Sequence, residues 1–289
     1  MGAGIAGHLA RHGLTVTLVD ASLELAEQAR ERLLARTRGH VDAGLLDEAA
    51  FERTASIEVA GELGAADLVI EAVPEDLELK QHVLSAIEPG PVIATNTSSL
   101  PIGELAASVR APERFLGVHW FNPPEWTPGI EVIPAPATDR AVVDAVIELL
   151  RAAGKRPVEV ADRAGFIANR LQSALLREAL ACVEEGLATP EAIDEVVRST
   201  FGFRLPFYGP FAIADMAGLD VYESVFRTLE RDLGPEFAPP RALREQVEQG
   251  RLGTKSGAGF AEYADADALI GERDRRYAAL SALLAELDR

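Results

Sequence analysis

His119 and Glu131 are the residues of this sequence whose types and spacing most plainly offer acid–base chemistry. They stand twelve positions apart at the two ends of "HWFNPPEWTPGIE". His119 closes the apolar run "FLGV" and Glu131 opens another, so each belongs at a strand end. Strand ends are where α/β sheets place their ligands. If the Pro-rich connection doubles back, the two side chains meet. A histidine held by a carboxylate is a general base with a fixed tautomer. Taken alone, a histidine at a strand end is more often structural. Ser98 and Ser99 in "NTSSL" add hydroxyls at another strand end, with capping of the next helix as the competing role.

A second constellation opens the chain as "MGAGIAGHLARHGLTVTLVD". Gly2 and Gly4 begin an Ala-rich helix, Gly13 suits its C-terminus, and the strand "LTVTLV" ends in Asp20. In a dinucleotide fingerprint, the last glycine allows close helix–strand packing and an acid about 20 residues on binds the ribose hydroxyls. Gly2 and Asp20 fit that spacing. A carboxylate there repels a 2′-phosphate, which favours NAD over NADP. A packing glycine and a turn aspartate explain the same residues without a ligand.

These residues need elements to hold them. "LTVTLVD", "DLVIEAV", "PVIATN", "FLGVHW", "IEVIP" and "RPVEVA" read as short strands buried on both faces. Helical stretches such as "EDLELKQHVLSAI" and "DRAVVDAVIELLRAAG" lie between several of them, which predicts a parallel α/β sheet. Beyond Gly165 the rhythm is helical throughout, from "FIANRLQSALLREALACVEEGLA" to "ERDRRYAALSALLAEL". The expected organisation is a mostly parallel sheet domain over 1–163 and an all-α domain over 164–289.

Composition narrows the function classes. With 28 basic and 46 acidic residues the net charge is −18, which argues against nucleic-acid and anionic-membrane surfaces. Cys182 is the single cysteine, so an internal disulfide is impossible and no metal site is expected. There is no signal-peptide pattern and no membrane-length apolar run, so a cytoplasmic protein is expected.

The motifs "MGAGIAGHLARHG…VTLVD", "DLVIEAVPEDLELK", "NTSSLPI", "HWFNPPEWTPGIEVI", "GFIANR", "GPFAIADMAGLD" and "GRLGTKSGAGF" follow one another in this order. Together they resemble the L-3-hydroxyacyl-CoA dehydrogenase family from end to end. The resemblance implies a Rossmann-like NAD domain followed by a helical domain that carries a dimer contact. It makes His119 the catalytic base, Glu131 its orienting carboxylate, Ser98 the partner of the substrate hydroxyl and Asn169 a polarising group. It places Gly2, Asp20, Glu75, Lys80, Ser98, Asn122 and Lys255 against NAD. The reaction implied is reversible oxidation of an L-3-hydroxyacyl-CoA to the 3-ketoacyl-CoA, as in fatty acid metabolism, by a homodimer acting on a small molecule. The same chemistry on a free 3-hydroxy acid or a carrier-bound acyl group stays open, as does an inactive relative that cannot hold NAD.

The sequence departs from the resemblance in several places. The family turn has two earlier glycines and a preceding strand, whereas this chain begins one residue before the third glycine. The expectation is a start site assigned too late and a native protein roughly ten residues longer. The strands "LTVTLV" and "DLVIEAV" should then flank a gap or be drawn together across it. Trp120, Pro124 and Trp126 are unusual around the base, and an extra helix carries Leu280, Leu283, Leu284 and Leu287. Arg30, Arg32, Arg36 and Arg38 form the dense basic run of the first domain, as candidates for a carrier phosphate or as a solvated helix face.

Overall fold

The computed structural model describes residues 1–287, which divide into two compact units, the first over 1–177 and the second from 178 onward. The first unit opens with α1 (Gly2–Arg11), β1 (Thr17–Val19), α2 (Leu23–Asp42), α3 (Glu48–Ala55) and β2 (Glu58–Ala60). It continues through β3 (Leu68–Glu71), α4 (Leu77–Ala86), β4 (Val92–Thr95), α5 (Ile102–Ala106), β5 (Phe115–Trp120) and β6 (Gly129–Pro134). It closes with α6 (Arg140–Ala152), β7 (Arg156–Glu159) and the start of α7 (Ala168–Glu184). Ser22, Asp47 and Asp76 cap α2, α3 and α4 by accepting the backbone N–H three residues on.

All six strands expected from the sequence form, and β2 is an addition that the sequence pattern did not reveal. The sheet is in two pieces. β1 and β2 pair in parallel, while β3 to β7 run in sequence order as a five-stranded sheet. The break falls between β1 and β3, the two strands expected to flank a gap. Within the larger sheet every pairing is parallel except β5 with β6. That exception is the Pro-rich connection doubling back.

The period of two along β5 decides what faces what. Leu116, Val118 and Trp120 join Ile5, Ile130, Val132 and the apolar face of α6 in one core cluster. Phe115 turns the other way, with Ile133, Ile102, Leu105 and Phe166. Gly117 and His119 share that second face. A Cβ on Gly117 would stand 2.6 Å from Ile102 Cδ1, so only glycine lets α5 sit against the sheet there.

The second unit contains the rest of α7, then α8 (Pro190–Ser199), α9 (Phe201–Arg204), α10 (Pro210–Ala217), α11 (Leu219–Leu233), α12 (Arg241–Glu248) and α13 (Ala266–Leu287). The single stretch read as "GPFAIADMAGLDVYESVFRTLERD" is two helices, broken at Gly218 with φ of 105°. The first unit runs to Arg177, beyond the expected boundary at 163, because the opening of α7 is hydrogen-bonded to the sheet. Among the described residues no helix is long and apolar enough to cross a membrane, and no cluster of three or more His, Cys, Asp or Glu could hold a metal ion.

Candidate functional site

His119 and Glu131 are direct partners in the antiparallel ladder of β5 and β6. Residues opposite one another in such a ladder point to the same face with their Cβ atoms about 5 Å apart. Here His119 Nδ1 donates to Glu131 Oε2 at 2.8 Å, and both side chains are buried. With Nδ1–H committed to the carboxylate, Nε2 is left as the acceptor. Phe121 and Phe166 pack their rings against the imidazole, with centroids 4.4 and 5.7 Å away.

The other oxygen of Glu131 has its own partners. Oε1 accepts the backbone N–H groups of Ile167 and Ala168, both at 2.9 Å, at the start of α7. A helix N-terminus carries unpaired N–H groups and a partial positive charge, so it holds a carboxylate in its anionic form. Gly165 and Phe166, with φ of 70° and 46°, turn the chain so that these donors reach Glu131. The sequence held a clue to this in the glycine just before the helix, but nothing in it named the acceptor.

Ser98 follows β4 and is fixed from two sides. Its backbone N–H donates to Glu75 Oε1 at 2.8 Å, and its carbonyl accepts from Asn169 Nδ2 at 2.8 Å. Glu75 Oε1 also receives Thr97 Oγ1, Ser99 N and Ser99 Oγ. Partial burial pushes the Glu75 carboxyl up, but the hydrogen bonds from Thr97, Ser98 and Ser99 outweigh it and hold it below its ordinary value. The structure thus gives Glu75 and Asn169 a task that the resemblance did not assign them, fastening the Ser98 turn. The hydroxyl-rich "TNTSS" near an acid was the available signal.

Lys80, expected against NAD, is held inside the first unit. Its side chain is fully buried, its ammonium donates to Glu71 Oε1 at 2.8 Å and to the Val73 carbonyl at 3.1 Å, and Glu75 Oε2 is 3.7 Å away. Glu71 also takes the Thr95 hydroxyl at 2.5 Å. A buried ammonium held in this way braces the ends of β3 and β4, with two of its three N–H groups hydrogen-bonded.

The basic run on α2 is also engaged. Arg30 donates to the Ala55 carbonyl, Arg36 pairs with Glu125 at 3.2 Å and Arg38 with Glu48 at 2.6 Å. The Arg36 pair ties the Pro-rich connection to α2, and Lys155 ties it from below by donating to the carbonyls of Pro124 and Thr127. Of the two unusual tryptophans, Trp120 is core and Trp126 is half exposed.

The dinucleotide expectation can be tested on the groups present. Met1 supplies no side-chain cap to α1, and its first turn has no acid, so N–H groups remain for a pyrophosphate. Gly2 stands beside Ala72, just past the end of β3. Asp20 is exposed at the end of β1 and accepts only from the N–H of Ala21 among the described residues, which leaves carboxylate lone pairs for ribose hydroxyls. Asn122 is exposed immediately after β5. These groups fit NAD. Lys255 belongs to the second unit, in a turn over Thr254–Ser256, where its ammonium pairs with Asp220.

Comparison with known proteins gives the family. Residues 1–163 match the 3-hydroxyacyl-CoA dehydrogenase NAD binding domain, and residues 165–263 match the 3-hydroxyacyl-CoA dehydrogenase C-terminal domain. The chain is 38% identical to a probable 3-hydroxybutyryl-CoA dehydrogenase of Bacillus subtilis, covering 91% of this chain and 94% of that protein. It is 37% identical to the 5-formyl-3-hydroxy-2-methylpyridine 4-carboxylate 5-dehydrogenase of Mesorhizobium japonicum, covering 98% and 95%. The crystal structure of a 3-hydroxyacyl-CoA dehydrogenase from Archaeoglobus fulgidus superposes with a TM-score of 0.83 at 33% identity, covering 99% of this chain and 95% of that one.

Proposed function

The chain belongs to the 3-hydroxyacyl-CoA dehydrogenase family, and from that membership we propose that His119 and Glu131 are the general-base dyad of its NAD-dependent reaction. The activity is oxidation of a 3-hydroxyacyl-CoA to the 3-ketoacyl-CoA with NAD. The observation that carries the dyad is the cross-strand hydrogen bond of 2.8 Å between two buried side chains.

His119 takes the substrate hydroxyl proton at Nε2. Glu131 stabilises the imidazolium that forms, and the N–H groups of Ile167 and Ala168 keep that carboxylate charged and in place. NAD, when bound, accepts the hydride from the carbinol carbon. The Ser98 hydroxyl holds the substrate oxygen, while Asn169 and Glu75 hold Ser98. In the reverse direction His119 returns the proton to the developing alkoxide. Asp20 meets the ribose hydroxyls and disfavours a 2′-phosphate. Asn122 contributes a further cofactor contact.

Relatives of nearly equal identity bear names for a hydroxybutyryl-CoA and for a pyridine carboxylate, so the test offers thioesters and free hydroxy acids together. NADH formation is expected with 3-hydroxyacyl-CoA. His119→Ala should lower turnover about a hundredfold or more while leaving the NAD dissociation constant near the parent value. Full activity in that variant would remove the dyad.

We also propose that the protein is a homodimer through its helical unit. Leu180, Val196, Phe211, Val221 and Val225 are all half exposed or more, apolar surface that water penalises. Light scattering at micromolar concentration should return twice the chain mass, and a monomer mass would overturn the dimer.

A further inference from the structure

A cavity of about 610 Å³ opens beside Ser98 and Asn169. One wall is a single face of α7 carrying Arg170, Ser173 and Arg177, at the i, i+3 and i+7 spacing that aligns side chains on a helix. The remaining lining is serine, alanine, glycine and asparagine, with no carboxylate. On a chain of net charge −18, arginines elsewhere are commonly matched by acids, as at Arg36, Arg38, Arg110 and Arg140. Arg170 and Arg177 have no ion-pair or side-chain hydrogen-bond partner among the described residues. Both are exposed to the open cavity, so a ligand that enters beside the Ser98 turn meets two cations with no protein counter-charge to displace.

We propose that this wall recognises a carboxylate on the acyl chain of the substrate, beyond the carbinol carbon. The proposal rests on the reading of Ser98 as the residue that holds the substrate hydroxyl. At about 1.5 Å of rise per residue, Arg170 and Arg177 stand about 1.5 and 12 Å past Asn169 along the helix axis. Long helical side chains lean back toward the N-terminus, so the Arg177 guanidinium is directed toward the Ser98 end of the cavity. The planar guanidinium matches a carboxylate with two parallel hydrogen bonds, and Ser173 lies between the two arginines to donate a third. The phosphates of a thioester carrier are a second source of negative charge. They sit at the far end of a long flexible arm, whereas this wall adjoins the reacting end.

The test is calorimetric titration of the full chain with two CoA thioesters of 3-hydroxy acids, and with free CoA. One thioester has an uncharged four-carbon chain and the other a six-carbon chain ending in a carboxylate. The carboxylate-ended thioester should bind about tenfold tighter. R177A should reduce that preference to less than twofold, and R177K should retain part of it. Equal binding of both thioesters by the parent chain, or binding of neither, overturns the proposal. Weaker binding of free CoA by R177A assigns the arginine to the carrier and overturns it as well. NADH formation from the same two thioesters tests the dehydrogenase reading separately. NADH from both without discrimination in binding defeats only the arginine wall. Discrimination in binding without NADH defeats only the reading of the reaction.

Discussion

In the first unit the side chains of the proposed dyad are set by strand register, whereas in the second the turn bearing Lys255 is set by one carboxylate. His119 meets Glu131 because β5 and β6 pair residue against residue between two apolar clusters. Among the described residues of the second unit, four large apolar or aromatic side chains are buried, namely Tyr208, Ile213, Leu219 and Leu243, and of these Leu219 alone completely. Asp215 takes over the positioning there. It is buried, and it accepts Phe260 N and Ala261 N at 3.0 Å and the Tyr263 hydroxyl at 2.7 Å. Gly253 and Gly259 lie so close to it that a Cβ on either would stand 2.0 or 2.2 Å from an Asp215 oxygen. Burial and this hydrogen bond push the Tyr263 hydroxyl well above its usual value, so it remains a donor across the ordinary pH range. A unit with a dense core can fix geometry by register, while one with exposed apolar faces must fix it by saturating a buried charge.

Two substitutions probe that difference, the larger effect first. Glu131→Gln keeps the shape of the side chain but places an amide N–H₂ where donors now point. It must turn that group either to His119 or to the N–H groups at the start of α7. The expected result is a fall in turnover of about a hundredfold, the scale of losing an oriented base, with a changed pH–rate profile because the imidazolium loses its counter-charge. A profile identical to the parent would show that Glu131 serves only packing.

Asp215→Asn meets the same difficulty in the second unit, since all three groups facing its carboxylate are donors. One donor left unpaired costs about 1 to 3 kcal/mol, which should appear as a melting temperature lower by roughly 5 °C. The single-turnover rate at saturating NAD and substrate should stay within about threefold, because the dyad is built in the other unit. A loss of that rate as large as that in Glu131→Gln would erase the distinction between the two modes of positioning.

The sequence alone determined a good deal. The order of strands and helices, the change of rhythm near Gly165 and the identity of His119 and Glu131 as a pair were all readable from period, composition and motif. The resemblance led to the expectation of a gap between β1 and β3, and these two strands lie in separate sheets. What the sequence could not determine was which oxygen meets which donor. The period of two tells which residues of β5 share a face, but only the pairing with β6 puts Glu131 opposite His119. The resemblance names Lys80 as a cofactor contact, but nothing in the sequence foretells that its ammonium is buried against Glu71. Glu75, Asn169 and the N–H groups of Ile167 and Ala168 converge from segments up to about a hundred residues apart in the chain. Such contacts are long-range, and local propensity is blind to them. They exist because a buried carboxylate or carbonyl must find donors when the core closes, and only the closed core decides which donors lie within reach.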